Sequence, residues 1–166
     1  MEIERSERKA PSSVSLGTLV VLIGAAFGCL YQVMLLLPVP LGHDQSWYLY
    51  AAQQILSGVT LYGPHLSETN PPLIMWLSVI PILVAHALRV SPVVALRLVV
   101  IALILLSTIW SLRFLHRRHP AAGSVFLVLA ACAISFVEFD IWPLDFGQRE
   151  QFLVILVLPY ILAVTS

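Results

Sequence analysis

The chain has 166 residues, 59% of them hydrophobic and only 11% charged, and its 9 Lys and Arg balance 9 Asp and Glu. An ordinary soluble domain is roughly 25% charged, so the composition excludes a water-soluble globule, and zero net charge removes the basic footprint of a nucleic-acid binder. The length fits one domain at most, in a lipid environment. Cys29 and Cys132 lie in apolar stretches, where a thiol is a small buried hydrophobe, and they imply neither a disulfide framework nor a zinc site.

Residues 1–13 form a charged tail with Arg5, Arg8 and Lys9 among Glu2, Glu4 and Glu7. Residues 14–37 follow without an ionisable side chain; as a helix they cover about 36 Å, enough to cross a hydrocarbon core of roughly 30 Å with some tilt. A cleaved signal peptide is the rival reading, but the run exceeds a usual signal core and the glutamates dilute the leader. No Lys or Arg occurs between Lys9 and Arg89, so the positive-inside rule predicts a cytoplasmic N-terminus and an outer segment over 38–71. Pro38, Pro40 and Pro71-Pro72 punctuate that segment. Inside it, Asp44–Ser57 reads as a short surface helix. Tyr48, Ala51 and Ile55 share one face, Asp44, Gln45 and Gln53 sit largely off it, and Gly58 supplies a left-handed stop.

The stretch 72–88 leaves two topologies open, because it is at the short limit of a span and Pro81 interrupts it. If it crosses, Arg113, Arg117 and Arg118 lie outside. If it stays in the outer interface, those three lie inside and Arg89, Arg97 and Arg149 lie outside; the compact basic turn favours this arrangement. Residues 92–115 and 121–137 read as spans joined by a turn at His116–Pro120. A polar loop covers Glu138–Glu150, and a further helix starts at Gln151 and is still apolar near Ser166, as in the first part of a longer polytopic chain.

Ionisable groups beside a bilayer are costly, which directs attention to two acidic loops. The first holds His43-Asp44 with Tyr48, and the second holds Glu138, Asp140, Asp145, Arg149 and Glu150. In the interfacial topology both emerge on one face and Asp44 can meet Asp145; in the crossing topology they cannot cooperate. Paired acids can accept a proton from a hydroxyl, hold a divalent metal or balance a cation, and Arg149 adds a planar fork suited to phosphate. Against this, Glu138, Asp140 and Glu150 read as solvated residues at helix ends. His43 and His65 read as loop-filling side chains, and His116 and His119 as headgroup contacts. Most of Trp47, Trp76, Trp110, Trp142, Tyr31, Tyr48, Tyr50 and Tyr62 read as anchors in the headgroup belt.

The order of these features resembles the N-terminal part of a GT-C fold glycosyltransferase, the class that includes protein O-mannosyltransferases and bacterial lipid A aminoarabinose transferases. The resemblance rests on Asp44 opening a helix with Tyr48 and Ala51, Gly58 with Leu61-Tyr62, and Asn70-Pro71-Pro72-Leu73 with Trp76. It continues with Arg97 at the head of a span, the basic turn Arg117-Arg118 and the acidic loop with Asp145. It implies two helices lying along the membrane in the first outer loop, the second being 72–88. The expected fold is then all-α and polytopic over 14–166, with about four transmembrane helices in an inner (plasma) membrane. The implied activity is transfer of a sugar, with inversion, from a polyprenyl-phosphate donor to a glycan, lipid or protein acceptor on the outer face.

By position, Asp44 matches the family's candidate catalytic base or metal ligand and Asp145 its second acidic residue, with Asp140 a further ligand should a divalent cation be bound. Pro71-Pro72 matches a KPP element whose lysine is associated with donor phosphate, but Asn70 replaces that lysine, and Arg149 is expected to take over the phosphate. Tyr48, Asn70 and Glu150 complete the expected substrate-binding set. The alternative is a non-catalytic membrane subunit or transporter fragment whose acidic loops bind a partner or cation.

Overall fold

A computed structural model describes residues 16–36, 39–67, 69–139 and 145–165. Every regular element among them is helical, as the sequence predicts: α1 Leu16–Leu36, α2 His43–Leu56, α3 Pro72–Leu77, α4 Val79–Leu88, α5 Pro92–Arg118, α6 Ser124–Phe139 and α7 Arg149–Val164. Among the described residues one helix, α5, is long and apolar enough by length and composition to cross a membrane; its 27 residues cover about 40 Å. The tail 1–13, Asp140 and Trp142 lie outside the described residues.

α5 is the axis of the molecule. It packs against α4, α6 and α7, while α1 lies on α6 and α2 on α3 and α4. Leu96, Val100 and Ile104, one turn apart along α5, are buried with Ile82 of α4, Phe152 and Ile155 of α7, and Tyr48, Leu49 and Ala52 of α2. The lower end of α5 faces the turn before α7, where Leu96 Cδ2 lies 3.2 Å from where a Cβ on Gly147 would sit. At the other end Arg118 donates to the carbonyl of Thr165, so α5 and α7 run parallel. α6 runs antiparallel to both, with its Glu138 against Ser107 and its Ser135 against Thr108. Large apolar side chains remain exposed on the outside, including Phe27, Leu106, Trp110, Phe136, Leu153 and Tyr160. A surface of that kind is suited to lipid or a partner rather than to water.

Helix ends explain most differences from the sequence-based boundaries. α2 begins and ends within one residue of expectation, closed by a Schellman motif in which Val59 N–H donates to Gln54 O and Gly58 N–H to Ile55 O, with Gly58 at φ +92°. The stretch 72–88 breaks at Ser78 rather than at Pro81. Pro81 has no N–H for the carbonyl of Leu77 and its ring crowds that carbonyl, so the helix restarts three residues earlier, and Ser78 Oγ closes α3 by donating to Ile74 O at 2.8 Å. α5 runs on through His116, Arg117 and Arg118, which were expected in a turn, because cations in a last turn face the negative end of the helix dipole. The residue before Pro120 then leaves the helix.

Three burial expectations are corrected. Gln45, expected off the packed face of α2, is 1% exposed, because its amide finds a partner in the 145–148 turn. Glu138, expected as a solvated helix end, is fully buried in the last turn of α6, where the Ser107 and Thr108 hydroxyls of α5 donate to its carboxyl group. Tyr48, expected near an interface, is also buried.

Candidate functional site

The two acidic segments meet at one end of the bundle. Gln45, next to Asp44, directs Nε2 at the carbonyl of Phe146, next to Asp145, at 3.5 Å. Nearby, the buried Arg97 of α5 donates to the carbonyl of Val39, which fixes the chain entering α2. The arrangement is the one in which both loops share a face of the molecule.

Asp44 sits in the first turn of α2, where the helix dipole favours a carboxylate. It is half-exposed, with His43 Nδ1 at 3.4 Å from Oδ1. Tyr48 lies one turn further along on the buried face. Asp145 precedes α7; its Oδ1 accepts from Gln148 Nε2 at 2.7 Å, and its backbone carbonyl accepts from Gln148 N–H at 3.0 Å. That local turn is tight because Gly147 takes φ +90°.

Arg149 begins α7 and connects the two segments. Its Nε donates to Glu150 Oε1 at 2.6 Å and its Nη1 donates to Asn70 Oδ1 at 2.9 Å, across 79 positions of sequence. Asn70 is held in turn by Tyr62, whose hydroxyl donates to its carbonyl at 2.7 Å. The guanidinium is held above its ordinary pKa first by the hydrogen bond to Glu150, then by Coulombic attraction to Glu150, Tyr48 and Asp44. The same hydrogen bond, as the largest cause, holds the Glu150 carboxyl below its usual value. The pair is solvent-exposed, 52% and 59% at the side chains.

Below Arg149 an apolar groove of about 320 Å³ opens between α3 and α7, lined by Leu73 and Leu77 on one side and Phe152 and Leu156 on the other, with Arg149 and Glu150 at its polar end. The site therefore combines two carboxylates, a cation that contacts the residue standing in the place of the expected lysine, and a greasy channel. Among the described residues no three His, Cys, Asp or Glu side chains form a metal cage. Asp44 and Asp145 are nevertheless hard-oxygen donors of the kind a Mg²⁺-type ion uses, since that ion takes one or two protein carboxylates and completes its shell with water and substrate phosphate.

Gln151 escaped sequence reasoning. It is fully buried, accepts from Gly147 N–H at 2.6 Å and donates to the carbonyl of Glu138 at 3.0 Å. A readable signal existed, because Gln at the third position of a helix often reaches back to the amides before it. No family model, curated protein or solved structure matches this chain.

Proposed function

We propose that this chain is a membrane glycosyltransferase, or the N-terminal portion of one, that moves a sugar from a polyprenyl-phosphate carrier to an acceptor hydroxyl on the outer face. The observation that carries the reading is the Arg149–Asn70 contact at the polar end of an apolar groove. A lipid-linked phosphate needs that combination: a permanent cation for the headgroup and an apolar channel for the chain beside it. The reading expects four spans: α5, which has the length for one, and α1, α6 and the apolar part of α7 after Glu150. Helices α3 and α4, of 6 and 10 residues, cover only about 9 and 15 Å and suit a position along the interface.

In this mechanism the acceptor oxygen attacks the anomeric carbon while the bond from that carbon to the phosphate oxygen breaks. Asp44 takes the hydroxyl proton, and Asp145 orients the acceptor. The negative charge developing on the departing phosphate falls to Arg149, and stabilising such charge is usually the largest catalytic contribution. A divalent ion, when held by Asp44 and Asp145, would supply further neutralisation of the phosphate. Asn70 holds the Arg149 guanidinium at the polar end, buried Tyr48 lies behind it, and Glu150 tempers Arg149.

The experiment is binding and transfer by the full chain in nanodiscs, with polyprenyl phosphate and a panel of polyprenyl-phosphate-linked sugars as probes. Arg149→Ala is expected to weaken polyprenyl-phosphate binding at least about tenfold, and Asp44→Ala to abolish transfer while binding persists. Wild-type transfer by both variants would refute the proposal and favour the non-catalytic subunit.

A further inference from the structure

We infer that Gln151 and Gln45 are positioning residues: two buried glutamines, from α7 and α2, that clamp the Asp145–Arg149 turn and so set how Asp145 and Arg149 stand relative to Asp44. The catalytic consequence rests on the transferase reading; the clamp itself rests on hydrogen bonding alone.

Gln151 uses both ends of its amide. Its Oε1 accepts from the backbone N–H of Gly147, just before α7, and its Nε2 donates to the carbonyl of Glu138 in the last turn of α6. Helix ends leave such amides and carbonyls without partners inside the helix. One side chain therefore satisfies the start of α7 and the end of α6 together and ties them across the connection between them. The same turn is held from α2 by Gln45 Nε2 on the Phe146 carbonyl. Gly147, at φ +90° against Leu96, presses the turn onto α5. Three helices, α2, α5 and α7, thus hold Phe146 and Gly147 at the middle of the turn 145–148.

Both glutamines are at most 1% exposed. A buried amide costs desolvation that only its hydrogen bonds offset, whereas Met would fill the same space without that cost. What the polar choice adds is direction: Gln151, with both ends of its amide paired, holds one geometry where an apolar contact permits several. Catalytic groups need that, since a displacement of about 1 Å costs on the order of 100-fold in rate.

The test compares wild-type full chain with Gln151→Met and Gln45→Met in nanodiscs. Hydrogen exchange is read over 145–151 and, as a control, over the middle of α5, 98–110. In Gln151→Met, exchange in the turn is expected to rise about tenfold with the α5 control unchanged. With a transferable polyprenyl-phosphate sugar, KM for the donor is expected to rise about tenfold as Arg149 shifts and kcat to fall about tenfold, together about 100-fold in kcat/KM. Gln45→Met is expected to shift the same readouts in the same direction by less, and it carries the test if Gln151→Met fails to accumulate. A merely structural role would lower the active fraction and leave KM alone. Unchanged exchange in the turn, or a loosened turn with KM and kcat intact, overturns the inference. If the wild-type chain transfers no sugar from any probe, the transferase reading and the catalytic consequence fall together, while turn exchange still decides the clamp.

Discussion

Replacing Gly147 with alanine tests whether the turn carrying Asp145 and Arg149 is as tightly determined as its geometry indicates. Two costs add. At φ +90° any L side chain is strained, by about 1–3 kcal/mol, and the new Cβ would meet Leu96 Cδ2 at 3.2 Å and Cγ at 3.4 Å. Leu96 is only 2% exposed, so it cannot swing outward, and crowding a packed site adds about 1 kcal/mol or more. The unfolded chain loses freedom, which returns about 0.4–1 kcal/mol. Gly147→Ala is therefore expected to destabilise by about 1–3.5 kcal/mol.

Gly58→Ala is the internal reference, because Gly58 has φ +92° but no atom near the Cβ position. It carries the backbone cost alone, about 0–2.5 kcal/mol and about 1 kcal/mol less than Gly147→Ala. Equilibrium unfolding in mixed micelles by far-UV circular dichroism measures both, and trimming the neighbour with Leu96→Val should be less costly in the Gly147→Ala background than alone. If Gly147→Ala costs no more than Gly58→Ala, the Leu96 contact does not constrain the turn. If it costs nothing, the turn is not held in this conformation.

Glu150→Gln removes the carboxylate that competes with a phosphate for Arg149, and binding of polyprenyl phosphate at neutral pH is expected to tighten about two- to fivefold, the scale of an exposed ion pair. Because the folded Glu150 pKa is depressed, the ion pair persists through the usual carboxylate range and is lost only as pH falls below it. The extra tightening that wild type shows over that acid range should be missing in the variant. Glu138→Gln keeps one oxygen to accept from Ser107 and turns its NH2 toward Thr108, whose hydroxyl can accept instead of donate, so it should unfold within about 1 kcal/mol of wild type, whereas Glu138→Ala leaves a cavity and two hydroxyls without their acceptor and should cost about 2–4 kcal/mol; equal costs would show that the hydroxyl contacts contribute nothing. Pro81→Ala gives the carbonyl of Leu77 a partner again and should fuse α3 and α4 into one helix, read as hydrogen-exchange protection of the new amide; an unprotected amide would place the cause of the break elsewhere.

The features legible in the sequence are those set by near neighbours. Apolar runs with proline and glycine at their edges located the helices, and Gly58 marked the end of α2 because a Schellman stop is a local device. The pairing of the segments bearing Asp44 and Asp145 was reachable through charge placement and the resemblance, and so was the choice of Arg149 as the cation beside Asn70. Gln45, Glu138 and Gln151 were hidden for a different reason. Each is polar and buried only because a partner arrives from a remote part of the chain: Phe146 for Gln45, Ser107 and Thr108 for Glu138, and a pair of helix ends for Gln151. Polarity alone assigns such side chains to solvent. The break at Ser78 was misplaced by three residues because a proline disturbs the turn before it, not its own position.

α5 is anchored at both extremities, through Arg97 to the strand of chain leading into α2 and through Arg118 to the far tip of α7, and its middle is bolted to α6 at Ser107 and Thr108. Such a triangulated truss resists sliding, since any axial slip must unfasten a joint at each storey simultaneously. Any adjustment at the groove then falls to α3, the wall that packs on α2 and α4 rather than on α5, hinging at Ser78 while the α7 wall beneath Arg149 stays still.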